Sequence, residues 1–176
     1  MGKFKQQQIN VHFIVIPLIE YIIRLRFMIN LIAKIDQQIT RWMRRWSIPA
    51  IRFSFGVIFI WFGILKNFGD SSAEPLLKAT VDLFPLGSPE FWLIIIGVWE
   101  VAIGVTFLFH RTTKIAIALL FLHMIGTFMP LVVMPEVTFQ NGNILTPSLK
   151  GQYIIKNIMI ISAAMVLGGK FYKPKK

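Results

Sequence analysis

The sequence predicts an all-α integral membrane protein: a four-transmembrane-helix bundle with an N-terminal amphipathic basic helix and both termini in the cytoplasm. Of the 176 residues, 55% are hydrophobic, and the mean hydropathy is +0.64. A soluble domain of this size carries fewer apolar residues. Long apolar stretches also recur along the chain, and the basic residues gather at one side of them. Composition, recurring apolar stretches and charge asymmetry together predict this class.

Four stretches are predicted to cross the membrane, because a hydrocarbon slab about 30 Å thick needs a helix of about 20 residues. They are residues 48–68, 91–109, 114–134 and 151–169. Arg52 and Lys66 lie near the ends of the first stretch, so their charged groups must snorkel to the surface or face protein. The fourth stretch is long enough only if Lys156 and Asn157 enter the membrane with it.

Positive charge is unevenly distributed over this layout. Residues 1–52 carry nine basic residues, the 110–114 loop carries Arg111 and Lys114, and four lysines follow residue 169. Lys and Arg are retained on the cytoplasmic side of membrane proteins. The pattern therefore places both termini in the cytoplasm, and it accounts for the net charge of +11 without a nucleic-acid partner.

The chain is predicted to have three parts. Residues 1–47 form an interfacial segment, residues 48–169 the membrane domain, and residues 170–176 a basic cytoplasmic tail. Within the first part, residues 32–46 alternate apolar and basic side chains at helical spacing, which is typical of a helix lying on anionic lipid. The same pattern suits a docking helix for a partner protein. The apolar run at 11–23 is short, and we expect no further span there.

Two connecting loops carry local structural signals. In "SSAEPLLKATVDLF" (71–84) the serines and the early proline predict a short helix lying over the mouth of the bundle. Asn141 and Gly142 favour a type I′ hairpin turn between Pro135 and Pro147. These segments are lids or ordinary tight loops.

The absence of cysteine restricts the chemistry. Without it the chain has no disulfides, no thiolate nucleophile, no iron–sulfur ligation and no covalent haem attachment. A b-type haem on His123 needs a second axial ligand, from Met124 or another subunit, and is not expected. No metal-ligating constellation is evident, so any redox role requires a non-covalent cofactor.

Small residues mark the packing faces of the first two spans. Helical spacing aligns Arg52, Gly56, Phe59, Gly63 and Lys66 on one stripe, and Gly97, Glu100 and Gly104 on another. Small residues let helix backbones approach closely in lipid. Glu100 is therefore expected to face the interior of the bundle.

Glu100, His123 and Lys156 are predicted to approach one another. By the 1.5 Å rise per residue, Glu100 and His123 lie roughly 14 to 16 Å from one end of their spans, and the Lys156 stem can reach inward. An unpaired carboxylate at mid-bilayer costs about 2.5 to 3.5 kcal/mol or more. Glu100 is therefore either protonated or paired with Lys156, Lys66 or a protonated His123.

Four segments together resemble the DoxX family and the related YkgB-like proteins, which are small bacterial membrane proteins. They are "FSFGVIFIWFGILKNFG", "IIGVWEVAIGV", "LHMIGTFMPLVVMPEVTF" and "TPSLKGQYIIKNIMIISAAMVLG". The resemblance covers residues 48–169 and implies a multi-pass four-helix bundle in the bacterial inner membrane. It singles out Lys66, Glu100, Lys156 and Asn157 as motif positions.

The resemblance also implies an association with quinone-linked oxidoreductases and with oxidative-stress defence. The first functional hypothesis is therefore a small membrane subunit of such a system, with a quinone near Glu100, His123 and Lys156. Further candidates for binding the cofactor are Lys66, Arg52 and Asn157. The chain alone is not expected to be a complete enzyme.

The second hypothesis is a non-enzymatic membrane scaffold that binds a protein partner or forms a homo-oligomer. In that case the buried charges only fix the register of the helices. A proton-coupled transporter would use the same Glu100 and His123, but four spans are few for that role.

Overall fold

The structure is a computed structural model that describes residues 2–170 except 70, 72 and 84–86, with side chains from residue 15 onward. Within that part of the chain every regular element is helical, and the only extended pairing is an isolated bridge between Phe139 and Pro147. The predicted all-α class is confirmed. Most of the predicted basic tail, 171–176, lies outside the described residues.

The first helix, α1, runs over Gly2–Phe68. The chain divides into two compact units within this helix, between Ser47 and Ile48. In the first unit the predicted amphipathic segment is helical, and its large apolar side chains are exposed. They are Ile32, Ile35, Ile39, Trp42, Met43 and Trp46.

Among its described residues, the second unit contains the end of α1 and six further helices. They are α2 (Glu74–Val81), α3 (Pro89–Leu108), α4 (Thr113–Val133), α5 (Pro135–Thr138), α6 (Leu149–Ile155) and α7 (Asn157–Lys170). Short 3-10 turns at His110–Thr112 and Gln140–Gly142 precede α4 and follow α5.

Four helical segments of the described chain are long and apolar enough to cross a membrane. They are Val15–Phe68, Pro89–Leu108, His110–Val133 and Leu149–Lys170. The last three correspond to predicted spans, whereas the predicted span at 48–68 is the final part of a much longer helix. The fourth segment comprises α6 and α7, which meet at Lys156, a residue with helical backbone angles (φ −57°, ψ −20°). The side of the membrane on which the termini lie stays a prediction.

Serine side chains fix where two of the helices begin. The Ser88 hydroxyl accepts a hydrogen bond from the Phe91 backbone N–H at the start of α3, and Pro89 occupies the first turn. Ser148 caps α6 in the same way by accepting from Gly151. Each serine hydroxyl accepts a hydrogen bond from a backbone N–H that has no partner within the helix. The two serines therefore define where α3 and α6 begin.

Helices α1 and α3 approach each other through two pairs of glycines. A Cβ atom added to Gly104 would lie 2.7 Å from the carbonyl oxygen of Gly56, and one added to Gly63 would lie 2.5 Å from that of Gly97. Both distances are shorter than a carbon–oxygen contact allows. The predicted packing faces are therefore confirmed at both pairs.

An apolar core lies alongside this glycine contact and is formed by α1, α3, α4 and α7. Its buried members are Phe55, Phe59, Ile103, Phe107, Ala116, Leu120, Met124, Ala164 and Leu167. The rings of Phe55 and Phe107 meet edge to face, with centroids 5.0 Å apart. This arrangement is a favourable geometry for two aromatic rings.

The short helix α2 packs against α3 and α4. Its Lys78 ammonium contacts Glu74 at 2.9 Å and Glu90, in the first turn of α3, at 3.2 Å. The hydrogen bond to Glu74, followed by that to Glu90, holds the pKa of Lys78 above its ordinary value. The helix predicted within 71–84 is present at Glu74–Val81, although its N-cap is Ala73, without a side-chain cap, and not a serine as predicted. An ion pair joins this helix to α3.

The loop after α5 contains the predicted turn. Asn141 (φ 52°, ψ 29°) and Gly142 (φ +70°) both adopt the left-handed conformation, and the Asn143 N–H donates to the Gln140 carbonyl at 2.9 Å. These features are those of a type I′ turn, as predicted.

Substituting Gly104 by alanine tests the close approach of α1 and α3. We expect Gly104→Ala to lower the free energy of unfolding by about 1 to 3 kcal/mol, because the added methyl group meets the α1 backbone. Gly126→Ala is the matched control, since nothing lies within 4 Å of its added Cβ. Thermal unfolding in detergent measures both. Equal midpoints for the two variants would contradict this packing.

Candidate functional site

Glu100 lies between two basic side chains in the interior of the second unit. Its Oε2 atom is 2.6 Å from the Lys66 ammonium, and its Oε1 atom is 3.2 Å from Nε2 of His123. The side chains of Lys66 and Glu100 are 8% exposed, and that of His123 is 12% exposed. We call these three residues the Lys66–Glu100–His123 cluster.

The packing of α1 against α3 positions the first two members. Lys66 follows Gly63 by three residues, and Glu100 follows Gly97 by three, so both side chains project from the helix faces that the glycines bring together. The resulting 2.6 Å contact has the length of a charge-assisted hydrogen bond.

Helix α4 supplies the third member. The His123 ring meets the Phe59 ring edge to face, with centroids 6.0 Å apart. Glu100 lies eleven residues after the start of α3 and His123 ten residues before the end of α4, or about 16 and 15 Å by the helical rise. The cluster is therefore near the middle of these candidate spans, as predicted for Glu100 and His123.

The contact between Nε2 of His123 and Oε1 of Glu100 is an electrostatic contact at 3.2 Å. Among the described residues, no buried side-chain nitrogen or oxygen lacks a hydrogen-bond partner. With 12% of its side chain exposed, His123 is the most accessible member of the cluster.

The cluster brings one carboxylate and two basic side chains together in the interior of the second unit. Lys66 is close enough to Glu100 to balance the charge of an ionised carboxylate.

The structure brings Lys66, rather than Lys156, to Glu100. Lys156 is exposed, and its Nζ atom lies 5.2 Å from the centroid of the Tyr153 ring. The backbone of Lys156 stays helical (φ −57°, ψ −20°), and the segment Leu149–Lys170 counts as one long helix. Its inward face is formed by Ile154, Asn157, Ile161 and Ala164, which recur at helical spacing. Lys156 lies off this face, so the structure does not bring it to Glu100.

The two other candidates also lie outside the cluster. Asn157 is the half-buried first residue of α7. Arg52 precedes Lys66 by fourteen residues, about 21 Å along α1. Its guanidinium donates to the carbonyls of Phe107 and Leu108 at 3.2 and 3.0 Å and contacts Nδ1 of His110 at 3.2 Å. Arg52 thus satisfies carbonyl groups at the end of α3.

The pair of Lys66 and Glu100 is expected to be needed for stability. Lys66→Met should cost about 3 to 5 kcal/mol of unfolding free energy, because Glu100 loses its ammonium partner inside an apolar bundle. The double variant Lys66→Met, Glu100→Gln should recover most of the loss, since no charge is left unpaired.

Lys78→Met provides the matched control for that experiment. Lys78 also contacts two carboxylates, but water reaches its side chain, so the same substitution should cost much less. Thermal unfolding midpoints of all four proteins, measured in one detergent, make the comparison. A double variant less stable than Lys66→Met would rule out an energetic dependence of Glu100 on Lys66.

Comparison with known proteins adds one match. The family model described as DoxX matches residues 47–134, which is half of the chain. The matched region runs from the end of α1 through α4 and contains Lys66, Glu100 and His123, whereas Lys156 lies beyond it. No curated protein and no solved structure gives a significant match to the chain.

Proposed function

The chain belongs to the DoxX family of membrane proteins, and from this we propose that it is a small membrane subunit of a quinone-linked redox or oxidative-stress defence system. The family and the four apolar segments indicate a multi-pass membrane protein. We assign it to the bacterial inner membrane as part of the same proposal.

The observation that carries the proposal is the environment of His123. Its Nε2 atom is 3.2 Å from the buried Glu100 carboxylate, and its side chain is the most exposed of the cluster. The combination suits a group that takes up and releases protons.

A quinone headgroup fits this set of side chains. Its carbonyls need hydrogen-bond donors, which the Lys66 ammonium and a protonated His123 provide, and its reduced form needs a proton acceptor, which neutral His123 provides. When bound, the quinone supplies transfer of two electrons and two protons. His123 is the most exposed of the three side chains and is therefore the proposed contact.

Each member of the cluster has a distinct proposed role. His123 holds or accepts the proton at Nδ1. Glu100 keeps the other proton on Nε2 and offsets the positive charge of the imidazolium. Lys66 offsets the charge of Glu100 while His123 is neutral, so the resting cluster carries no net charge within the bundle.

Electrons are proposed to come from another protein. The sequence contains no cysteine, and the described residues contain no group of three or more His, Asp or Glu side chains suited to a metal ion. A protein partner, or a second copy of the chain, would complete the system. The exposed apolar and basic side chains of residues 32–46 support a contact with anionic lipid as part of this assembly.

One observation favours a second function, that of a scaffold. Lys66 and Glu100 neutralise each other's charge inside the bundle, as a purely structural ion pair does. In that case the chain is a non-enzymatic scaffold, and the cluster only fixes the packing of α1 against α3.

Substituting His123 by glutamine separates the two functions. The glutamine amide reaches the position of Nε2 and can donate to Glu100, but it cannot take up a proton. We expect His123→Gln to unfold at nearly the same temperature as the wild type and to retain less quinone after gentle extraction. Mass spectrometry of the extracted protein measures the quinone, and Gly126→Ala serves as the control.

The scaffold function makes the opposite prediction. If His123→Gln retains as much quinone per protein as the wild type, or if neither protein retains any, the cluster does not bind a quinone. Glutamine does not take up a proton. If a change of pH restored quinone binding in His123→Gln, another residue would have to be the group that exchanges the proton.

A further inference from the structure

The loop between α5 and α6 has an unusual composition for a polar connection. No charged residue occurs between Glu136 and Lys150, although 15% of the chain is charged. At its tip are two aliphatic residues, Ile144 and Leu145, with relative exposures of 74% and 88%. Polar and charged residues are the ones most often exposed to water, so two such exposed aliphatic side chains side by side call for an explanation.

Hydrogen bonds within the loop hold this tip in place. The Gln140 N–H donates to the Thr146 carbonyl at 2.8 Å, and the Thr146 N–H donates to the Asn143 carbonyl at 2.9 Å. The Asn143 side chain accepts from the Leu145 N–H at 2.9 Å. Together with the type I′ turn, these bonds keep both aliphatic side chains on the outside of the loop.

We propose that Ile144 and Leu145 insert into the boundary between the lipid headgroups and the acyl chains. The loop connects the ends of two candidate spans, and the neighbouring Val132 and Leu149 are exposed apolar residues on those spans. The exposed aliphatic tip therefore belongs to the short connection between two apolar candidate spans. A rigid pair of aliphatic side chains beside a bilayer is buried most simply by lipid.

The hydrogen bonds of the loop indicate how deep its tip can lie. Five of the eight backbone N–H groups from Gln140 to Ser148 donate within the protein, and the Thr146 hydroxyl contacts the carbonyls of Gln140 and Asn143. The other three make no such bond among the described residues. Hydrocarbon offers backbone groups no partners, so this backbone suits the headgroup boundary, where water and headgroups accept N–H groups, and not the hydrocarbon core.

The proposal is tested with nitroxide labels, and the absence of cysteine makes every label site-specific. Ile144→Cys and Leu145→Cys are labelled in phospholipid nanodiscs. Ile125→Cys, on the exposed face of α4, gives the lipid reference, and Arg111→Cys, in the polar turn before α4, gives the aqueous reference. Electron paramagnetic resonance then compares collision with oxygen, which concentrates in lipid, and with a water-soluble nickel chelate.

We expect both tip labels to have an oxygen-to-nickel collision ratio above that at Arg111 and below that at Ile125. Nickel collision as frequent as at Arg111 would place the tip in water and overturn the proposal. Low collision with both reagents would mean that protein covers the tip, which would also overturn it. Unfolding midpoints close to that of the wild type verify that the labelled proteins are folded.

Discussion

A carboxylate in the apolar middle of a helix bundle must be neutralised by groups inside the protein, and the structure is organised around how Glu100 meets this requirement. Lys66 contacts one of its oxygens and His123 the other. The three side chains come from α1, α3 and α4, so a single charged group joins three of the helices. Without these partners, an ionised Glu100 would be costly in the bundle interior. The helices would then either rearrange to expose the carboxylate to water or hold it in its protonated form.

The glycine pairs make this pairing possible. Gly56 with Gly104, and Gly63 with Gly97, allow α1 and α3 to touch through their backbones. The two helices run antiparallel, so Lys66 and Glu100 lie on opposite sides of the contact between Gly63 and Gly97. Gly97 is about 12 Å inside the start of α3 by the helical rise. The long Lys66 side chain spans the offset and reaches Glu100 from near the end of α1.

Much of this arrangement follows from helical periodicity. The inward faces of Glu100 and Lys66 follow from a spacing of three and four residues, and the mid-span depth of His123 follows from its position along α4. Periodicity did not place Lys156, because two neighbouring faces of the fourth span are both apolar and spacing alone does not decide which of them faces the bundle. Periodicity also did not show whether Glu100 is paired with a lysine or protonated. The answer depends on the distance between side chains of α1 and α3, and the spacing of residues within one helix gives no information about that distance.

The ionisation state of Glu100 is the most direct test, because the account requires a carboxylate shared by Lys66 and His123. The infrared spectrum of Glu100→Gln, subtracted from that of the wild type in the same lipid at neutral pH, isolates the vibrations of this side chain. The account predicts that the wild type contributes the stretching bands of an ionised carboxylate and no band of a protonated carboxyl group. A protonated carboxyl band that disappears in Glu100→Gln would contradict the ion pair and the proton-exchange role assigned to His123.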